Sequence, residues 1–248
     1  MVRTKKASPV VDPPSPRAMS AGPFSEWLHA THRARKLGTL GANVPCGNCN
    51  ACCRGSQFVH IQPKETSTIE RIPRGLLLPA YGLPKGHVLL GYDEKGRCPM
   101  LRDDACSIYD NRPQTCRDFD CRVFAAAGIA PDEQGPQAAI AERVRAWQFE
   151  YPTEVDSREH EAVRAAGRFL KEHSDSLREI DIQDSPLQLA LLAVRFFKFF
   201  LNGATPAANA DSAPGEIVKR LVTELERGAP RLDMAKKKPT RQFGRPHR

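Results

Sequence analysis

PCGNCNACCRG, Pro45 to Gly55, sets Cys46, Cys49, Cys52 and Cys53 within eight residues. The spacing is C-x2-C-x2-C with a further cysteine directly adjoining. C-x2-C is the tight-turn spacing that brings two sulfurs onto one metal centre. Thiolate is a soft ligand that selects zinc, copper(I) or iron–sulfur clusters. The doubled cysteine needs separate treatment. Adjacent side chains point to opposite faces in extended backbone and diverge by about 100° in a helical turn. Cys52 and Cys53 are therefore not expected to ligate one tetrahedral ion together. One joins Cys46 and Cys49; the other faces a second site or stays free.

Four more cysteines follow, Cys98, Cys106, Cys116 and Cys121, so that all eight of the chain lie within 76 consecutive residues. In a secreted chain an even count reads as disulfides. Here the basic N-terminus, MVRTKK, is followed by no apolar run of signal length. The expected compartment is cytoplasmic, where thiols stay reduced and clustered cysteines read as metal ligands or redox groups. A zinc ribbon supplies a second C-x2-C knuckle, and none follows: the later spacing is Cys98-x7-Cys106-x9-Cys116-x4-Cys121. Cys46, Cys49 and Cys52 instead fit the three-cysteine wrap of bacterial ferredoxins, whose fourth ligand lies farther off. The reading places an iron–sulfur cluster ahead of zinc. Eight thiols allow two sites of four, or one cluster and four redox thiols, and the sequence does not choose.

The 248 residues carry a net charge of +8, with 40% hydrophobic residues and 21 prolines; mean hydropathy is −0.48. Residues 231–248 hold seven Lys/Arg against one acid and residues 1–19 hold four against one. Most of the excess therefore sits in two tails, which read as solubilising ends, with a nucleic-acid arm at the C-terminus as the alternative. The most apolar stretch, Leu187 to Leu201, contains Arg195 and Lys198 and falls short of the roughly 20 apolar residues a transmembrane helix needs.

The expected fold class is α+β: a small, metal-organised cysteine-rich domain with short strands, then a mostly α-helical domain, with disordered tails. The boundaries read as a tail at 1–21, a leading helix at 22–39, the cysteine domain at 40–125, a helical domain at 136–228 and a basic tail at 229–248. Within the cysteine domain, SQFVHIQ (Ser56 to Gln62) alternates as a strand. GHVLLGYDEKGRCPML (Gly86 to Leu101) reads as a hairpin turning at Asp93 to Gly96. Among the helices, QAAIAERVRAWQFE puts Ile140, Val144 and Trp147 at helical spacing, and REHEAVRAAGRFLKEH does the same for Val163, Ala166 and Leu170. SPLQLALLAVRFFKFFLNG has Ser185 as N-cap, Pro186 at the first position and Gly203 as the stop. EIVKRLVTELERG repeats Ile217, Leu221 and Leu225.

Around the cysteines, PCGNCNACC, then RCPML with Cys98, Pro99 and Leu101, then CSIYDNRPQTCRDFDC form a connected pattern. The last segment supplies Cys106, Ile108, Tyr109, Arg112, Pro113, Cys116, Arg117, Phe119 and Cys121. This pattern resembles the CxxCxxCC cysteine-cluster family (YkgJ-type) over about residues 45–125. The resemblance implies chelation of zinc or iron by Cys46, Cys49, Cys52, Cys53, Cys98, Cys106, Cys116 and Cys121. Flagellin lysine methylases are similar in carrying this kind of motif, so a metal-dependent protein-modification or redox enzyme, with a protein partner, is the alternative to a metal-binding module. No glycine-rich nucleotide-binding loop supports a methyltransferase.

A zinc ion held by four thiolates has a net charge of −2, and Arg112 and Arg117 are the guanidinium groups expected to offset it or to donate to sulfur. Pro113 is expected to start a short helix presenting Cys116. Tyr109 and Phe119 read as packing residues, Asp118 and Asp120 as exposed carboxylates, and His60 and His87 as structural.

Overall fold

A computed structural model of the chain describes residues 18–37, 44, 46, 48–179, 184–201 and 223. The expected stop at Gly203, the helix over EIVKRLVTELERG apart from Thr223, and the basic tail at 229–248 lie outside these residues. So do most of the expected N-terminal tail and the start of the cysteine domain at 40–43. The described chain is α+β, as the sequence implies.

The larger core begins earlier than expected. Strand β1 (Met19–Pro23) starts inside the anticipated tail and leads straight into helix α1 (Phe24–Leu37). Phe24 and Leu28 are completely buried, with Trp27 beside them. Helix α1 is therefore a core element. Its partners come from the far end of the chain. Helix α5 (Ala138–Ala146) stops one residue short of Trp147, which opens strand β7 (Trp147–Glu150). This corrects the helical placement of Trp147. Trp-Gln-Phe-Glu alternates buried and exposed, the period-2 signature of a strand, and β1 supplies a parallel partner in the register Met19↔Trp147 to Pro23↔Glu150.

Helix α6 (Glu154–Glu172) is fixed at its start by a capping box between Thr153 and Asp156. The second Asp156 oxygen accepts the backbone N–H of Ser25 at 2.8 Å. One buried carboxylate therefore serves the first turns of both α6 and α1. After the short helix α7 (Ser174–Glu179), helix α8 (Pro186–Phe196) begins as expected, with Ser185 Oγ accepting from the Gln188 N–H and Pro186 at the first position. It packs with the tight turn Phe197–Phe200 on α6.

The cysteine-bearing stretch forms a second, smaller core of Ile61, Ile72, Leu90, Met100 and Ile108. Strands β2 (Val59–Ile61), β3 (Leu77–Pro79) and β4 (Val88–Leu90) make an antiparallel sheet in the order β2-β4-β3. Helix α2 (Thr66–Ile69) lies between the first two in sequence. The expected hairpin over 86–101 is not formed. Asp93 to Gly96 does turn, with the Gly96 N–H on the Asp93 carbonyl at 2.8 Å. The strand before that turn pairs with β2 and β3, however, and the strand after it pairs elsewhere. Strands β5 (Leu101–Arg102) and β6 (Ala105–Cys106) make a separate two-residue hairpin. Asp103 and Asp104 both take positive φ there, the backbone such a turn requires and one that aspartate tolerates.

Helix α3 (Gln114–Asp118) follows Pro113, as anticipated. Helix α4 (Arg122–Ala127) ends at Gly128, whose φ of 65° makes the left-handed cap. Helix α4 belongs to the larger core: Val123, Phe124, Ala126 and Ala127 are buried in it, and the helix packs with α6 and α8. That core therefore draws on both sides of the boundary expected near residue 125.

Candidate metal centre

The first four cysteines sit in a loop and a single 3-10 turn. The Cys49 N–H bonds the Cys46 carbonyl at 3.0 Å, the tight turn that the C-x2-C spacing predicts. Residues Ala51–Arg54 then form the 3-10 turn, in which successive side chains diverge by about 120°. Ala51 is buried in the larger core while Cys53 meets Cys98, which packs against the smaller one. The Cys53 carbonyl accepts the Cys98 N–H at 2.7 Å, and the two thiols are close electrostatic neighbours. Asn50 Nδ2 bonds the Asp104 carbonyl at 2.9 Å, and Arg54 pairs with the Asp104 carboxylate. These contacts tie the first cysteine turn to the β5–β6 hairpin.

Cys52 has an open face at the surface but is otherwise crowded. Burial, with Cys121, Cys49, Cys46 and Cys116 next in order, pushes its thiol well above the ordinary range. Cys121 is buried at the start of α4 and lies among the same neighbours. Burial lifts it to about 11, while the indole N–H of Trp147, 3.1 Å from its sulfur, favours the thiolate. Cys46 is raised by its own burial and by Cys49 and is opposed by the charges of Arg143 and Arg122. Arg143 also donates to the Cys46 carbonyl at 3.0 Å and lies over the Trp147 ring.

Cys98 shifts downward. The Cys53 thiol, with backbone N–H groups of Met100 and Leu101, holds it down at about 7. Cys106, on β6, takes an N–H from Ile108, although burial leaves its thiol raised. Cys116 is pushed up to about 12 by burial, then by Cys98 and Cys106, with Arg112 opposing. Helix α3, which carries Cys116, is anchored to the small sheet by Thr115 Oγ1 on the His60 carbonyl at 2.7 Å. Gln114 N–H on Glu65 at 2.6 Å adds a second tie.

Of the two arginines expected beside the sulfurs, Arg112 stands near Cys106 and Cys116 and stacks over Tyr109 at 4.0 Å. Tyr109 is half exposed, so its contact is with that guanidinium and not with a core. Arg117 donates to the carbonyls of Arg112 and Asp110, at 3.0 and 3.1 Å. Asp120, expected to be exposed, is largely buried in a forked pair with Arg122 and accepts the Trp27 indole N–H at 2.9 Å. That lock holds the Cys121 corner against α1. His60 and His87 face each other, Nε2 to Nδ1, at 2.8 Å.

All eight cysteines are free thiols. Among the described residues no three Cys, His, Asp or Glu side chains stand at metal-binding geometry. The donor set suits a soft ion: eight sulfurs, N–H groups aimed at several of them, and guanidinium groups close by. Residues 45–131 match the CxxCxxCC family model. Its description is "Putative zinc- or iron-chelating domain". No curated protein and no solved structure matches the chain. The CxxCxxCC stretch ends before Arg143 and Trp147, so two groups that touch its cysteines come from outside it. Sequence reading missed both. A tryptophan 26 residues beyond the last cysteine carries no local signal of its target.

A cavity of about 650 Å³ adjoins the corner between Cys116 and Cys121, lined by Trp27, Leu187 and Leu191 with Asp118, Phe119 and Asp120. No helix among the described residues is long and apolar enough to cross a membrane.

Proposed function

We propose that this protein binds metal through its cysteine thiolates, holding an iron–sulfur centre or zinc with Cys46, Cys49, Cys52, Cys53, Cys98, Cys106, Cys116 and Cys121. The observation that carries this reading is the convergence of eight free cysteines from the first turn, the stretch leading into and through the β5–β6 hairpin, helix α3 and the start of α4 onto one region. Zinc would supply a structural cross-link there, and an iron–sulfur cluster would supply one-electron transfer. Arg143, Arg122 and Arg112 offset the negative charge of the sulfurs, and Trp147 orients Cys121. Arg117 braces the backbone that carries Arg112. Reduced thiols of this number belong in the cytoplasm.

The test is anaerobic purification of the full chain followed by visible spectroscopy and elemental analysis. Brown protein with iron and acid-labile sulfide identifies a cluster; colourless protein with stoichiometric zinc identifies zinc. Metal-free protein that stays metal-free on reconstitution overturns the reading.

A second reading, a redox or protein-modification enzyme, is supported by the cavity beside Cys116 and Cys121. Its mainly apolar wall and the Asp118 carboxyl, whose pKa burial raises, suit an apolar substrate segment bearing a hydrogen-bonding group. Asp118→Asn lowering turnover without changing metal content would favour it.

A further inference from the structure

We infer that the eight cysteines form two separate four-thiolate metal sites, Cys46/Cys49/Cys52/Cys121 and Cys53/Cys98/Cys106/Cys116, with the adjacent Cys52 and Cys53 divided between them. Each site takes one soft, thiophilic centre, a tetrahedral divalent cation or an iron–sulfur cluster. This rests on the metal-binding reading and adds the number of centres and the membership of each.

The division follows the two cores. Cys121 is part of the larger core and Cys49 packs against it, whereas Cys98 and Cys106 pack against the smaller one. The 3-10 turn of Ala51–Arg54 lies between them and sends neighbouring side chains in different directions. Ala51 enters the larger core, and Cys53 meets Cys98 by both backbone and side chain. Cys116 goes with the second set because α3 is pinned to β2 and α2 through His60 and Glu65.

The electrostatic neighbours divide in the same way. Cys46, Cys49, Cys52 and Cys121 each lie close to the other three. Cys98 and Cys106 are neighbours of each other and of both Cys53 and Cys116. Across the division, Cys52 lies beside its chain neighbour Cys53 and approaches Cys116 less strongly than it does Cys121, Cys49 and Cys46. Each set also has its own supporting groups. Arg143, Arg122 and the Trp147 indole serve the first. Arg112 and the N–H groups of Met100, Leu101 and Ile108 serve the second. Four thiolates are the full complement for tetrahedral zinc and for a cubane cluster alike.

The test uses the reduced, metal-free full chain titrated with Co(II) under argon, read by native mass spectrometry and by alkylation of unprotected cysteines. Two Co(II) per chain are expected. Below saturation, protection should appear in two blocks with the membership given above, and Cys52 and Cys53 should follow different blocks. The double variants Cys46→Ser/Cys49→Ser and Cys98→Ser/Cys106→Ser should each keep one Co(II), and their combination none. The unsubstituted chain's protection map stands independently of any variant that fails to fold. A single Co(II) protecting cysteines of both sets, or both double variants losing all metal while still folded, would overturn the division and leave metal binding intact. A chain that binds no Co(II), zinc or iron overturns both.

Discussion

The indole N–H of Trp147 ends 3.1 Å from the sulfur of Cys121. It links the first residue of β7 to the last cysteine of the cluster. An N–H donor of this kind stabilises the thiolate, the form a metal takes, and Arg143 over the same ring keeps the indole in place. Trp147→Phe preserves the ring and removes the donor. The expected result is metal affinity lower by about 10- to 100-fold, measured by competition with a chromophoric chelator, with the far-ultraviolet circular dichroism unchanged. Unaltered affinity would mean that the indole N–H contributes nothing to metal binding.

His160 gives the fold a pH dependence separate from the thiols. Its ring stacks on Phe24 at 4.3 Å and its Nδ1 is 2.6 Å from the Tyr151 hydroxyl. Desolvation, aided by Arg164, lowers its pKa from 6.5 to about 4. The unfolded chain therefore takes up this proton first. The contribution is fully present above pH 6.5, is lost between 6.5 and about 4, and is constant below. At about 1.4 kcal/mol per pKa unit, it amounts to at most about 3 kcal/mol. Urea denaturation at several pH values should show this slope, and His160→Gln should flatten it within that window.

Asp156 caps two helices that start far apart in sequence. The Thr153 hydroxyl, then the N–H groups of Ser25 and Thr153, hold its carboxyl below the usual range. This stability is present above the normal carboxylate pKa and is lost as pH falls through the lower folded value. Asp156→Ala removes both caps, and at about 1 kcal/mol each should cost about 2 kcal/mol. Thermal unfolding reads the loss. A loss of only about 1 kcal/mol would mean the α1 contact contributes nothing.

Gly167 sits where α6 crosses α4. A methyl group there would approach the Ala127 carbonyl oxygen to 2.4 Å, and the obstacle is backbone, which cannot swing aside as a side chain can. Gly167→Ala is expected to force the two helices apart at about 1–3 kcal/mol, visible as a lowered Tm.

The cysteine chemistry was legible because it is local. The tight Cys46–Cys49 turn and the divergence of Cys52 from Cys53 both follow from spacing and backbone geometry. So does Ser185-Pro186 at the head of α8, since capping involves only the first turn. What sequence reading could not reach depends on partners far away in the chain. Met-Ser-Ala-Gly-Pro has no strand propensity and becomes β1 because Trp147–Glu150 offers it a parallel edge. Trp147 itself falls at helical spacing from Ile140 and Val144, and the pairing with β1 decides its state. The hairpin expected at Gly86 to Leu101 had a true turn but the wrong partners, because both edges of β4 are taken by β2 and β3.

The pairing of β1 with β7 makes the cysteine-bearing stretch an interruption within a helical unit, since Met19 must find Trp147 across everything between them. The conformational cost of closing such a loop grows with the length of free chain inside it. A metal captured between Cys46 and Cys121 would draw most of that intervening chain together before the strands meet. The cluster would then act as a folding clasp, and metal added to the reduced, unfolded chain should shorten the time the two ends take to join.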